Sequence, residues 1–133
     1  MTIEEIIAKQ NGKSRSKPHD EEHRIQCACV NWFWYQYPEY HGLLFAVPNG
    51  GARSKATAGR LKAEGVVAGV SDLLLLVPSS PYHGLCIEMK TKKGRQSDSQ
   101  KAWQDDVEQQ GYKYVVCRSL DEFIDNIKDY LNY

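Results

Sequence analysis

Over residues 20–36, "DEEHRIQCACVNWFWYQ", apolar side chains return at Ile25, Cys29, Trp32 and Phe33, the spacing of one helix face. Asp20 is placed to cap this helix, acidic residues fill its first turn, and Pro38 stops the run. "GLLFAVPNGG" predicts a short strand over 43–47, closed by a Pro-Asn-Gly-Gly turn. Ser54 can cap a small helix reaching about Glu64, with Gly65 as its stop. "DLLLLV", bounded by Gly69 and Pro78, is the apolar block of a central strand covered on both faces. "PSSPYH" then turns the chain back into a second strand, "GLCIEMK". A helix over 97–110 follows, with Ser97 as cap, Trp103 and Val107 as its apolar pair and Gly111 at its end. "YKYVVCRS" predicts another strand, and "LDEFIDNIKDYL" a last helix with Leu120, Phe123, Ile124, Ile127 and Leu131 on one side. The order α-β-(α)-β-β-α-β-α has no internal repeat and predicts one α/β domain over 20–133 with a mixed sheet flanked by helices. Residues 11–18, "NGKSRSKP", are polar and turn-rich, so 1–19 are expected to form an arm or a separate short helix.

Composition narrows the class without naming a chemistry. The 133 residues are 41% hydrophobic and 26% charged, the balance of an ordinary globular chain and not of a disordered one. No apolar run has the length of a membrane span, and the first ten residues lack a signal layout, so a cytoplasmic protein without membrane contact is expected. Cys27, Cys29, Cys86 and Cys117 fall inside predicted elements without disulfide or CxxC spacing, as reduced and packed thiols do. Net charge is zero, but residues 50–95 carry eight Lys/Arg against three Asp/Glu, whereas 98–129 carry four against eight. A basic centre beside an acidic C-terminal region can present a positive face to a polyanion.

The two central strands hold the candidate chemistry. Glu88 and Lys90 share one strand face with Cys86, ~7 Å apart, while Leu85, Ile87 and Met89 take the other. Asp72 opens the preceding strand. A hairpin folded about the middle of 78–83 sets Asp72 level with Met89, which aims it at the wrong face. A one-residue shift or a bulge sets it level with Glu88 or Lys90 and gathers all three on one face. Two carboxylates held together call for a cation, and an oxygen-only site, with the Met89 backbone carbonyl as a further donor, suits Mg²⁺ or Mn²⁺. A lysine beside the ion can orient a water or stabilise charge on a phosphate. Taken alone, D…E-x-K is short and common, and a solvated ion pair explains it as well.

Its company is more specific. D-x(15)-E-x-K across a hairpin, with "EHRIQ", "VPNGGARS", "GVVAGVSDLLLL", "CIEMKTKKGRQSDSQ" and "RSLDEFIDNI", resembles the PD-(D/E)XK nuclease superfamily. More narrowly it resembles the VRR-NUC domain in the small stand-alone form carried by phages and bacteria. The resemblance runs from about Glu22 to Leu131. It implies a restriction-endonuclease-like α-β-β-β-α-β core, Asp72 and Glu88 as metal-binding carboxylates, and Lys90 as the catalytic lysine. Glu22 matches the additional acidic residue of the active site and is a further expected metal ligand, and Gln26 and Gln100 match the helix glutamines near it. Ser71 departs from the pattern, standing where many relatives have Pro. The resemblance further implies a homodimeric DNA endonuclease that cuts branched DNA such as Holliday junctions. A nuclease without branch preference, or a non-catalytic DNA-binding or assembly subunit, are the alternatives.

Several residues carry rival readings. Glu22 also suits the first turn of a helix by charge, with Glu21 beside it. Gln100 three residues after Ser97 also reads as half of a capping box. Lys92, Lys93 and Arg95 can grip phosphates or simply solvate a loop. Asn49, Arg53 and Lys55 around "NGGARSK" can contact DNA, or form a turn and a cap. Of the aromatic patch, Trp32 reads as core, whereas Trp34, Tyr35, Tyr37 and Tyr40 can stack on bases or pack a partner. His23 and Cys27 have half-site spacing for zinc, but no second half follows, and a zinc site is not expected.

Overall fold

A computed structural model describes residues 2–3, 18–48 and 54–132, so Asn49 and Arg53 and most of the expected N-terminal arm lie outside the described residues. Helix α1 spans Pro18–Gln36, and a 3₁₀ helix follows at Pro38–Leu43. Strand β1 is Leu44–Ala46, α2 Lys55–Ala63, β2 Leu73–Leu75 and β3 Leu85–Met89. The chain then forms α3 over Asp98–Gln109, β4 over Lys113–Cys117 and α4 over Leu120–Leu131. Because α1 begins at Pro18, Asp20 sits inside its first turn and is not the cap. The 3₁₀ helix was not expected. Pro38 ends α1 and, with its φ already near helical values, starts the tighter turn.

The strand order is β1-β2-β3-β4. β1/β2 and β2/β3 are antiparallel and β3/β4 parallel, a mixed sheet. Leu73, Leu75, Leu85, Ile87 and Met89 enter one core with Cys29, Trp32 and Phe33 of α1 and Phe123, Ile124 and Ile127 of α4. Burying such side chains is worth about 1.5–3 kcal/mol each, which fixes the strand parity. Helix α3 takes the opposite face, with Trp103 edge-on to Tyr114 of β4 at 6.2 Å and Gln100 reaching Glu88 of β3. That helix lies over β3 and β4, so the "DLLLLV" segment is not covered on both faces as its composition predicted: Leu74 of β2 is half-buried and Leu76, just past it, is 51% exposed. Tyr130, absent from the expected core, is buried and donates its hydroxyl to the Val77 carbonyl at 2.7 Å, tying α4 to the β2–β3 connection.

That connection supplies the required shift. Leu75 pairs with Leu85, and Ser79 bridges Tyr82. Three residues, 76–78, therefore oppose two, 83–84, the count of a bulge. The register becomes Leu73 to Ile87, and one residue further places Asp72 opposite Glu88.

Candidate active site

Glu88 stands on the α3 side of β3 and is 2% exposed. A carboxylate so buried needs donors. Oε1 accepts from the Tyr114 hydroxyl at 3.1 Å, and Oε2 from Gln100 Nε2 at 3.2 Å. Burial, and then Asp72 beside it, push the Glu88 carboxyl up to about 8, with Lys90 and Tyr114 acting the other way. Asp72 Oδ2 accepts from the Met89 backbone N–H at 2.6 Å. The carbonyl of a strand residue leaves on the same edge as its N–H, so the Met89 oxygen also faces the Asp72 side. The neighbouring Asp72 carboxyl favours the protonated form of Glu88, since two adjacent carboxylates repel.

Half-buried Glu22 reaches this pair from the first turns of α1, whereas neighbouring Glu21 is exposed. Its carboxyl is raised by burial first and by Asp72 second, and lowered by Lys90. Lys90, just past β3, donates its backbone N–H to the Cys117 carbonyl at 3.0 Å, which extends the parallel ladder with β4 by one residue. Its ammonium is the cation felt by both Glu22 and Glu88. The structure thus gathers Asp72, Glu88, Lys90, Glu22 and Gln100 from four elements and the segments beside them.

Residues 15–121 match the VRR-NUC domain. The chain belongs to the VRR-NUC family. A solved structure described as a VRR_NUC domain protein superposes on this VRR-NUC domain with a TM-score of 0.74 at 25% identity, covering 89% of this chain and 91% of that one. No curated protein matches the chain. Membership implies nuclease-type function, a hydrolase with DNA as its partner.

The remaining expected residues of the VRR-NUC chain are dispersed. Gln26 is half-buried one turn beyond Glu22 and lines a cavity against β1. Lys92 and Lys93 sit in an exposed turn after β3, and Arg95 is exposed just beyond it. Lys55 is exposed at the start of α2, whose cap Ser54 accepts from the Thr57 N–H at 3.1 Å. Trp34 is 36% and Tyr35 60% exposed, while Tyr37 and Tyr40 pack against the core. Ser71 is buried and donates to the Leu73 carbonyl at 3.1 Å. No helix among the described residues is long and apolar enough to cross a membrane.

Three participants were not singled out from sequence. Tyr114, level with Cys86 in the parallel register, donates to Glu88, and burial followed by the Glu88 charge raises its hydroxyl so that it stays protonated. Gln96 Nε2 donates to the Tyr114 oxygen at 3.3 Å and to Gln104 Oε1 at 2.9 Å. Arg118 Nη1 donates to the Thr91 and Gly94 carbonyls at 2.8 and 2.6 Å, holding the basic turn in place. The available signal for Tyr114 was parity: a buried tyrosine needs an acceptor, as a buried glutamate needs a donor.

Does the donor set fit a divalent cation? The donors are oxygen only, and burial with the neighbouring Asp72 holds the Glu88 carboxyl toward its protonated form against the opposing Lys90 and Tyr114. A hard cation is the natural replacement for that proton. Among the described residues no three His, Cys, Asp or Glu side chains are gathered to cage an ion alone. Two carboxylates, a carbonyl, waters and substrate phosphate are the usual Mg²⁺ complement, so the fit is to that mode.

Proposed function

We propose that this VRR-NUC domain is a metal-dependent DNA endonuclease that hydrolyses phosphodiester bonds in branched DNA as a homodimer. The observation that carries the reading is the Asp72–Glu88 carboxyl pair across the ends of β2 and β3, with Glu88 2% exposed, its carboxyl raised by burial and by Asp72, and Lys90 acting electrostatically on it. Asp72, Glu88 and the Met89 carbonyl would hold Mg²⁺ or Mn²⁺, with Glu22 as the further acidic residue at the ion. When bound, the ion supplies Lewis acidity toward the scissile phosphate. Lys90 orients the attacking water and stabilises charge developing on phosphate oxygens. Glu22, its carboxyl raised by burial and by Asp72, accepts a proton from that water more readily than an ordinary carboxylate. Gln100 and Tyr114 hold Glu88 in place, and exposed Lys92, Lys93, Arg95 and Lys55 grip flanking phosphates. A two-fold dimer suits the two symmetric strands of a junction. Leu43 and Leu76, hydrogen-bonded through their backbones across β1 and β2 and 39% and 51% exposed, offer apolar area for its interface.

The test is cleavage of a labelled four-way junction and its matched linear duplex with Mg²⁺ or Mn²⁺, by wild type and Lys90→Ala. Metal-dependent cutting of the junction is expected, reduced by about 100-fold or more in the variant. Equal cutting of both DNAs would remove the branch preference, and no cutting by well-folded protein would remove the nuclease mechanism.

A further inference from the structure

One helical turn beyond Glu22, a cavity of about 380 Å³ opens between α1 and β1. Gln26, Asn31 and Trp34 of α1 line one wall, and Leu44, Phe45 and Ala46 of β1 the other. β1 is an edge strand. Leu76 N–H donates to the Leu43 carbonyl and Val47 N–H to the Asp72 carbonyl, so residues 43, 45 and 47 point their backbones at β2. By alternation, the N–H and C=O of Leu44 and Ala46 point from the free edge, toward the cavity. Trp34 is 36% and Phe45 38% exposed, and His41 packs on the Trp34 ring at 4.5 Å between centroids, holding the indole.

We infer that this cavity binds an unpaired nucleobase of the DNA strand being cut, an inference that rests on the nuclease reading above. The part-exposed indole of Trp34 supplies the stacking surface that every base accepts. The Gln26 and Asn31 amides and the β1 edge supply both donors and acceptors, as a base edge requires. Among the described residues no Lys, Arg, Asp or Glu lines the cavity, which suits a neutral ring and not a phosphate. Its position is continuous with the carboxylate site. Gln26 lies ~6 Å along α1 from Glu22 and Trp34 ~18 Å, and Val47, next to Ala46, is bonded to the Asp72 backbone at 2.9 Å. A strand whose phosphate sits at Asp72 and Glu88 therefore runs past the cavity mouth. A base enters it only when unpaired, which gives the enzyme a means of favouring branch points without reading sequence.

The experiment uses a duplex with one unpaired 2-aminopurine nucleotide and the same duplex with an abasic nucleotide there, with Ca²⁺ as the cation. Affinity is read by anisotropy and stacking by 2-aminopurine fluorescence. Wild type is expected to quench the fluorophore and to prefer the base-containing DNA by about 5–150-fold. Trp34→Ala should bring that ratio to near one, Asn31→Ala should lower it partly, and Trp34→Phe should keep the quench. A wild type without base preference, or Trp34→Ala that retains it, overturns the inference even where DNA is bound and cut. A change of sedimentation in Trp34→Ala with the preference intact also overturns it, since the cavity then serves a second copy of the chain. Failure to bind or cut any DNA is a separate result: it removes the nuclease reading, and the pocket with it.

Discussion

With both oxygens hydrogen-bonded and its carboxyl pushed up to about 8, Glu88 is protonated over much of the range in which an ordinary carboxylate, near 4.5, is ionised. The consequence for stability has a definite sign. The folded state binds this proton more tightly than the unfolded state. Its contribution to stability is therefore complete below about pH 4.5 and declines as pH rises to about 8, the two ends of the shift. Metal-free Glu88→Gln, which keeps the shape and removes the charge, should match wild type in thermal midpoint near pH 4.5 and exceed it at pH 8.5. A constant difference across that range would show that Glu88 does not carry the buried charge. Mg²⁺ should close the gap at pH 8.5 for the wild type only, since it replaces the proton. The three buried cysteines play no part: burial is the leading cause raising each thiol, Cys86 to about 11 and Cys117 to about 12, and keeps them protonated.

Helix α3 shows how one element serves fold and site through a single side chain. Ser97 Oγ accepts from the Gln100 N–H at 3.2 Å, and Gln100 Oε1 accepts from the Ser97 N–H at 2.8 Å, closing the capping box. The remaining end of the amide, Nε2, donates to Glu88. The two readings of Gln100 are thus compatible, because an amide has a donor and an acceptor to divide between partners. Ser97→Ala should cost about 1 kcal/mol of stability in urea denaturation while leaving the cleavage rate within a few-fold. Gln100→Ala should cost a similar amount and also lower metal affinity or activity by about 10–100-fold, as loss of a ligand's supporting hydrogen bond does. Equal activity in the two variants would mean the contact to Glu88 is incidental.

The site closes only when distant parts of the chain meet, and Gly69 is where they touch. Its φ is +88°, in the region that favours glycine, and a Cβ there would collide with the Ser99 carbonyl in the first turn of α3. This close approach sets the loop leading to Asp72 against the helix that carries Gln100. Gly69→Ala is expected to destabilise by about 2–5 kcal/mol from backbone strain and overpacking together. It should also lower cleavage in the fraction that remains folded, measured by urea titration and single-turnover rates. Unchanged stability would show that the loop can move aside freely.

Much of this was legible beforehand because it depends on local periodicity. The alternation in "GLCIEMK" placed Glu88 and Lys90 on one face and Leu85, Ile87 and Met89 on the other, and the heptad-like spacing of "LDEFIDNI" marked the buried side of α4. Boundary details were lost where short-range signals compete, as at Asp20, a plausible cap that Pro18 displaced into the helix. Coverage of β2 was misjudged because "DLLLLV" has the same composition whether one face or two are packed, and only the reach of α3 decides that Leu76 is left half in water. Tyr114 was unassigned because its acceptor lies 26 residues away.

By itself, then, the sequence determined the helices, the strands, the parity of the central hairpin and the side chains capable of the chemistry, since each follows from spacing along one segment. Only the tertiary structure decided the rest. Whether Asp72 faces Glu88 or Met89 turned on one additional residue in 76–78, a choice that exchanges the two sheet faces and that no local propensity fixes. Which glutamate of α1 enters the site, which tyrosine satisfies Glu88, and which groove lies beside them depend on how separate elements pack, because those contacts are made between residues that the chain holds far apart.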